Sequence, residues 1–142
     1  MTFNEYEMIE RLPTVAEHQL LWESVGWGEV DIQMTEASIA GSIYGVVAIY
    51  QGVTVGMGRI VGDGAMYFYI QDVAVMPEHQ ASGVGGRILD QLLAYIRTSP
   101  RSSGGAPFIG LFASEGKERF YEKYGFRDYS PGMTGMFMVM DK

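Results

Sequence analysis

The chain contains no cysteine among its 142 residues. A disulfide framework, a thiolate metal site and an acyl-cysteine intermediate are therefore excluded. No apolar run approaches the roughly 18–20 residues that a membrane-spanning helix needs, and the first residues lack the basic and apolar regions of a signal peptide. These absences predict a cytoplasmic protein with no membrane partner.

Positive charge is also scarce, since 10 Lys and Arg stand against 17 Asp and Glu and the formal net charge is −7. Nucleic-acid-binding proteins usually carry a basic patch, and none is visible in this sequence. A nucleic-acid partner is therefore not predicted. His18 and His79 are far apart in the sequence and lack neighbouring ligand residues, so no metal site is predicted. The length and the 47% hydrophobic content fit one globular domain spanning residues 1–142.

The most informative segment is residues 72–89, where a buried strand, a glycine-rich turn and the start of an amphipathic helix follow one another. Gln80, Gly83 and Gly85 form a Q-x-x-G-x-G spacing at the change from strand to helix. A helix start has orphan N–H groups and a partial positive charge, and glycines let an anion approach the backbone. A phosphorylated ligand is predicted at this turn.

Two other phosphate-binding motifs do not fit. A P-loop needs Gly-Lys followed by Ser or Thr, whereas Gly116-Lys117 is followed by Glu118. A dinucleotide-binding fingerprint needs a third glycine, and that position is Ile88. A nucleotide-binding domain is therefore disfavoured.

The hydrophobic patterns predict an α/β fold, an α+β sandwich with antiparallel strands first and a parallel pair later. Strands are predicted at 3–10, 43–50, 53–61, 65–75, 107–113, 126–129 and 135–140. Helices are predicted at 14–25, 31–41, 84–99 and 115–124.

The pattern from Val73 to Leu89, V-x-V-x-P-x-x-Q-x-x-G-x-G-x-x-x-L, closely resembles the acyl-CoA-binding signature of the GNAT superfamily of N-acetyltransferases. A second segment, Phe120-Tyr-Glu-Lys-Tyr-Gly-Phe126, resembles that family's F-Y-x-k-x-G-F signature. The two signatures are independent, so their joint presence is more specific than either alone. The resemblance covers roughly residues 43–140.

The resemblance implies a mixed sheet of six to seven strands flanked by about four helices. Its parallel central pair, the strands of Val73–Val75 and Phe108–Phe112, would splay in a V that holds the pantetheine arm. The implied activity is transfer of an acetyl group from acetyl-CoA to a primary amine by direct attack in a ternary complex. The acceptor would be a small-molecule or peptide amine, and a homodimer is an analogy with the family. The alternative is a non-catalytic acyl-CoA-binding or sensing module.

In the family, strand and turn positions hold the acyl-CoA, and a tyrosine protonates the departing thiolate. Tyr121 matches that tyrosine, and the Val75 N–H matches the donor to the thioester carbonyl. Arg87 is expected either to reach a phosphate or to lie exposed, and Phe120 to pack on the CoA arm or in the core. The expected CoA-binding residues are Val73, Val75, Gln80, Ala81, Ser82, Gly83, Val84, Gly85, Gly86, Arg87 and Phe120.

The general base and the acceptor site are less specified. Tyr69 stands where some family members have a glutamate base, so a water chain is the preferred base; Glu23 and Glu29 are weaker candidates. Strand alternation predicts Asp72 on the face opposite Tyr69, as a structural residue. Trp22, Trp27 and Tyr69 are predicted to form an aromatic wall for an amine, while simple packing of the tryptophans is the alternative.

Overall fold

The computed structural model describes residues 5–99 and 104–140. The chain divides into two compact units, Met1–Gly110 and Leu111–Lys142. The first unit contains the sheet and three α-helices, and the second contains one short helix.

The sheet has five strands in the order β1-β2-β3-β4-β5. They are β1 Tyr6–Ile9, β2 Tyr44–Tyr50, β3 Val53–Gly62, β4 Tyr67–Val75 and β5 Phe108–Gly110. Neighbours from β1 to β4 are antiparallel, and β4 and β5 are parallel. The fold class predicted from the sequence is therefore confirmed.

The four helices also agree with the sequence prediction. They are α1 Val15–Ser24, α2 Ile32–Ala40, α3 Val84–Thr98 and, in the second unit, α4 Glu118–Glu122. Thr14 begins α1 with a capping box, because its hydroxyl accepts from the Glu17 N–H and the Glu17 carboxylate accepts from the Thr14 N–H. A short 3₁₀ turn, Pro77–His79, links β4 to the segment before α3.

Helices cover both faces of the sheet. On one face, α3 packs its predicted apolar stripe, of which Val84, Ile88 and Leu92 are completely buried. It approaches β3 so closely that a Cβ on Gly58 would lie 2.7 Å from the Ile88 Cγ2. On the other face, Leu21 of α1 joins a core cluster with Val47, Met57 and Ala74.

The parallel pairing between β4 and β5 is short, because β5 has only three residues. Pairing between β4 and β5 runs only from Tyr67 opposite Phe108 to Tyr69 opposite Gly110. β4 continues to Val75, and within the described part of the first unit its last six residues have no strand neighbour on the β5 side. The V-shaped splay that the family resemblance implies stays a prediction.

The strand count is lower than predicted, because five strands stand among the described residues in place of six to seven. Residues 126–129 and 135–140 contain no strand, and the side chains from Met136 to Met140 are more than 80% exposed. Alternating apolar residues favour the extended conformation, but a strand exists only where the backbone finds a partner. Of the predicted strand at 3–10, Tyr6–Ile9 is observed, and residues 3 and 4 lie outside the described ranges.

Among the described residues, no helix is both long and apolar enough to cross a membrane.

Candidate active site

The segment after β4 folds back onto the end of the strand. Gln80 donates a hydrogen bond from Nε2 to the Val75 carbonyl at 2.9 Å, and the Ser82 hydroxyl donates to the carbonyl of His79. Ala81 and Gly83 have positive φ angles of 61° and 90°. Gly83 adopts this left-handed conformation without the steric cost that a Cβ would impose. The turn therefore reverses the chain directly in front of α3.

The start of α3 lacks a side-chain cap. Gly83 occupies the N-cap position, no side chain hydrogen-bonds there, and the first turn contains no acidic residue. The Arg87 N–H donates to the Gly83 carbonyl, 3.1 Å away, and this is the first hydrogen bond of the helix. The N–H groups of the residues just before Arg87 come ahead of that hydrogen-bond ladder. Aligned N–H groups and the helix dipole make this end of α3 suited to an anion. The turn thus brings together the predicted residues from Gln80 to Gly86.

The orientation of Val75 follows from its neighbour. The Met76 N–H donates to the Val55 carbonyl on β3 at 2.8 Å. Because successive N–H groups of a strand point to opposite sides, the Val75 N–H points away from β3, to the edge of β4 beyond the β4–β5 pairing. Val73 directly follows Asp72, where the β3–β4 register shifts. The Val75 amide donor therefore lies on this edge of β4, next to the glycine-rich turn.

Arg87 connects this turn to the first strand. Its guanidinium NH1 donates to the Tyr6 carbonyl at 3.2 Å, and the Tyr6 hydroxyl lies 2.9 Å from the His79 Nδ1. Arg87 therefore contributes to holding the turn against β1. Its predicted contact with a phosphate stays a prediction.

The second unit contains Phe120 and Tyr121 on α4. The ring of Tyr121 meets those of Phe120 and Phe126 edge to face, with centroids 5.0 and 6.1 Å apart. Burial raises the pKa of Tyr121 above its usual value, so the phenol keeps its proton at neutral pH. A protonated, partly buried phenol is suited to donating a proton.

The two tryptophans form a stack that begins at His18. The rings of His18 and Trp22 are stacked at 5.3 Å, and Trp22 meets Trp27 edge to face at 5.0 Å. Trp22 donates a hydrogen bond from Nε1 to the Trp27 carbonyl at 3.0 Å. The stack therefore has a buried end at His18 and an end at Trp27 that is 36% exposed.

A buried charge network crosses this face of the sheet. The Asp72 Oδ2 accepts from the Arg59 Nε at 2.6 Å and lies 3.0 Å from the His18 Nε2. Arg59 also donates to the Ser38 carbonyl and hydroxyl and to the Ser42 hydroxyl. His18 and Arg59 are both less than 10% exposed. The network joins α1, α2, β3 and β4.

The face predicted for Asp72 is wrong. Asp72 has a φ of 56°, and the β3–β4 register shifts between Met57 and Arg59, so a bulge interrupts the alternation of side chains. Gln71 lies opposite Arg59 and therefore shares its face, as does Tyr69 two residues earlier. Asp72 reaches the same Arg59 and thus lies on the face of Tyr69.

The sequence carried one weak signal for this network. Arg59 lies within an apolar strand and His18 within a helix that packs on the sheet, and buried charged residues need partners. The spacing of these residues could not show that they meet.

Burial alone would raise the pKa of Asp72, but the hydrogen bonds from His18 and Arg59 and the charge of Arg59 more than offset it, so its pKa is lowered. The carboxylate therefore stays ionised at neutral pH. No group of three or more His, Cys, Asp or Glu side chains that could hold a metal ion occurs in the described ranges.

The comparisons with known proteins agree with this geometry. Residues 41–128 match the family model described as an acetyltransferase (GNAT) domain. The chain belongs to the GNAT acetyltransferase family. An uncharacterised N-acetyltransferase ycf52 of Pyropia yezoensis is 29% identical over 126 residues, which cover 85% of this chain and 69% of that protein.

Two solved structures share the GNAT fold. One from meticillin-resistant Staphylococcus aureus, described as "Probable Acetyltransferase", has a TM-score of 0.87 at 24% identity and covers 95% of this chain and 99% of that one. A GNAT family protein of Streptococcus pneumoniae has a TM-score of 0.79 at 24% identity, covering 96% and 99%. Family membership makes the chain an acyltransferase and implies acetyl-CoA as co-substrate, and the uncapped glycine-rich turn fits its pyrophosphate.

Replacing Asp72 by Asn is expected to destabilise the protein by about 3–5 kcal/mol, because Arg59 would keep a buried charge without its counterion. The measurement is urea unfolding at pH 7, with the exposed Asp90→Asn as the matched control. The lowered pKa makes the contribution of Asp72 fully present above the unfolded-state value near ~3.9 and lost as pH falls through the folded-state value. Equal unfolding curves for the two variants would show that the network does not stabilise the fold.

Proposed function

We propose that the protein transfers an acetyl group from acetyl-CoA to a primary amine of a small molecule or peptide, by direct attack in a ternary complex. The observation that carries this proposal is the unpaired edge of β4 running into the uncapped turn Gln80–Gly86. The extended pantetheine arm of acetyl-CoA would lie along the strand edge, and its pyrophosphate would lie at the start of the helix.

The main-chain groups would bind the co-substrate. The amides of Val73 and Val75 supply hydrogen bonds to the pantetheine arm in place of the missing strand, and the start of α3 holds the pyrophosphate. The residues proposed for this binding are those named from the sequence, with Phe120 packing on the arm and Arg87 near a phosphate.

The Val75 N–H is the proposed donor to the thioester oxygen. Negative charge develops on that oxygen as the amine attacks, and a preorganised amide stabilises it more strongly than it stabilises the ground state. The hydrogen bond from Gln80 to the Val75 carbonyl fixes the next peptide group along the chain, between Val75 and Met76.

Tyr121 is the proposed general acid. When the C–S bond breaks, the thiolate accepts the phenolic proton of Tyr121. Burial raises the pKa of this phenol further above neutral pH, so the proton is present when the leaving group needs it. Since a thiol has a pKa near ~8.5, the leaving group is only moderately poor, and protonation supplies a useful part of the rate.

The acceptor is proposed to lie against the aromatic stack. Trp27 and Tyr69 are each 36% exposed, and their ring faces can attract an ammonium or an organic amine by cation–π contact. The formal net charge of −7 favours the approach of such a cation. Water is the proposed carrier of the amine proton, since Tyr69 offers no carboxylate.

We further propose that residues 1–142 act as one N-acetyltransferase domain in the cytoplasm. A homodimer stays a prediction from the family resemblance.

Tyr121→Phe is expected to lower kcat by about 10²–10³-fold, because the thiolate loses its proton donor. The Kd for acetyl-CoA should change less than about twofold, because the variant keeps the ring. The measurement is release of the CoA thiol with a panel of amines, beside acetyl-CoA binding by calorimetry. Tyr129→Phe removes a hydroxyl from a 65% exposed tyrosine of the same unit and serves as the control. Unchanged turnover in Tyr121→Phe would remove Tyr121 from the mechanism.

Gly83→Ala is expected to weaken acetyl-CoA binding roughly tenfold or more, or by about 1.4 kcal/mol, because a Cβ strains the turn that presents the N–H groups. Gly52→Ala is a matched control, since Gly52 has a φ of 79° and lies in the β2–β3 hairpin with open space around its Cα. Both variants carry similar backbone strain, so their thermal stabilities should fall alike. If calorimetry gave both the same acetyl-CoA affinity, the turn would not be the phosphate site.

A further inference from the structure

Three aromatic rings pack together beside the glycine-rich turn. Tyr6 of β1 and Tyr50 of β2 lie opposite each other in the strand register, and their ring centroids are 5.2 Å apart. The ring of His79, in the short turn after β4, lies 5.6 Å from that of Tyr6 and 4.9 Å from that of Tyr50. Because Tyr6 is 3% exposed, His79 packs against a residue of the buried core.

Tyr6 also makes polar contacts with residues on both sides of the glycine-rich turn. Its hydroxyl lies 2.9 Å from the His79 Nδ1, and its carbonyl accepts a hydrogen bond from the Arg87 NH1 at 3.2 Å. His79 and Arg87 directly flank the segment Gln80–Gly86. One residue of β1 therefore holds both ends of the segment that is proposed to bind the pyrophosphate.

The contact between Tyr6 and His79 is the same for either tautomer of the imidazole. A hydroxyl can donate or accept a hydrogen bond, so it pairs with the Nδ1 whether that nitrogen carries a hydrogen or a lone pair. The anchor is therefore a property of the packing and not of the proton position on the ring.

The turn contains a residue whose backbone conformation needs support. Ala81 has a φ of 61°, a left-handed conformation that a residue with a Cβ adopts at a cost. Strained backbone persists only where the surrounding contacts determine it. The Ser82 hydroxyl donates to the His79 carbonyl, so Ala81 lies within a bridge that begins at His79. The ring of His79 is in turn held by Tyr6.

We propose that Tyr6 is a positioning residue for the pyrophosphate of acetyl-CoA. By holding His79 before the turn and Arg87 after it, Tyr6 keeps Ala81 in its left-handed conformation and the N–H groups of the turn in place before the ligand arrives. A preformed site loses less conformational freedom on binding, so its affinity is higher. The inference rests on the proposed use of acetyl-CoA and gives Tyr6 no part in the proton transfers.

The first variant of the test is Tyr6→Phe, which removes the hydroxyl and keeps the ring. Tyr44→Phe is the matched control, because Tyr44 lies at the other end of β2 and its hydroxyl donates to the Glu10 carboxylate at 2.6 Å. Each variant loses a hydrogen bond of one tyrosine hydroxyl, so both melting temperatures should fall. The measurement is the Kd for CoA by calorimetry, at a temperature at which all the proteins are folded.

Tyr6→Phe should bind CoA roughly fivefold more weakly than the wild type, which is the factor expected for one hydrogen bond. Tyr44→Phe should keep the wild-type affinity. With acetyl-CoA and the best amine of the panel, Tyr6→Phe should raise the KM for acetyl-CoA and leave kcat unchanged. His79→Phe removes the same hydrogen bond from the other partner, keeps an aromatic ring, and should weaken CoA binding by a similar factor.

The Ala81→Gly variant tests the route by which Tyr6 acts. Glycine adopts the left-handed conformation without the cost of a Cβ, so the turn then depends less on the anchor at His79. In the Ala81→Gly background, adding Tyr6→Phe should therefore weaken CoA binding by less than about twofold. An equal loss of affinity in both backgrounds would overturn the inference.

Two further results would contradict the role of Tyr6. Wild-type affinity for CoA in both Tyr6→Phe and His79→Phe would overturn the inference and leave the proposed acetyl transfer intact. An equal loss of affinity in Tyr44→Phe would also overturn it, because the effect would then follow from stability alone. If the wild type did not bind CoA, the proposed function would fail, and this inference with it.

Discussion

The proposed site depends on the backbone edge of β4 that faces β5. Backbone N–H groups are strong donors that need partners, and β5 supplies them only as far as Tyr69. Beyond Tyr69, no strand of the described first unit pairs with this edge, and Gln80 donates to the Val75 carbonyl on it. We propose that a ligand with alternating amide groups completes the sheet here and that its phosphate end meets the start of α3. The proposed binding mode thus follows from one strand ending early.

The bulge at Asp72 also affects the position of β4. It inserts one residue into β4, which turns the Asp72 side chain toward Arg59 and α1. The ion pair is buried, so its net contribution to stability over an apolar pair of similar size is small, whereas breaking it is expensive. Its more specific effect is positional, since it connects both N-terminal helices to the strand that carries Val73 and Val75 and orients the ring of His18.

Much of this arrangement could be predicted from local sequence. Gln80, Gly83 and Gly85 lie close together in the chain, so their spacing already indicates the turn and the helix start. The apolar stripe of α3 follows from its four-residue period. The residues His18, Arg59 and Asp72 meet only through tertiary packing, which no spacing reports. The prediction from strand alternation failed at Asp72 because a β-bulge interrupts the strand there, and an Asp residue alone does not indicate a bulge. The strands predicted at 126–129 and 135–140 failed because β propensity does not supply a pairing partner.

We propose that acetyl-CoA binds along the edge of β4 and at the start of α3. The most direct test is the thermal stability of the protein with and without ligands. Acetyl-CoA, CoA, ATP and NAD would each be added separately to the wild-type chain. A ligand at about 100 times its Kd stabilises the native state by about 2.7 kcal/mol, or roughly 5–10 °C for a domain of this size. Acetyl-CoA and CoA should each produce such a shift, and ATP and NAD none of comparable size. If neither acetyl-CoA nor CoA shifted the melting temperature at saturating concentration, the proposed binding site would be contradicted.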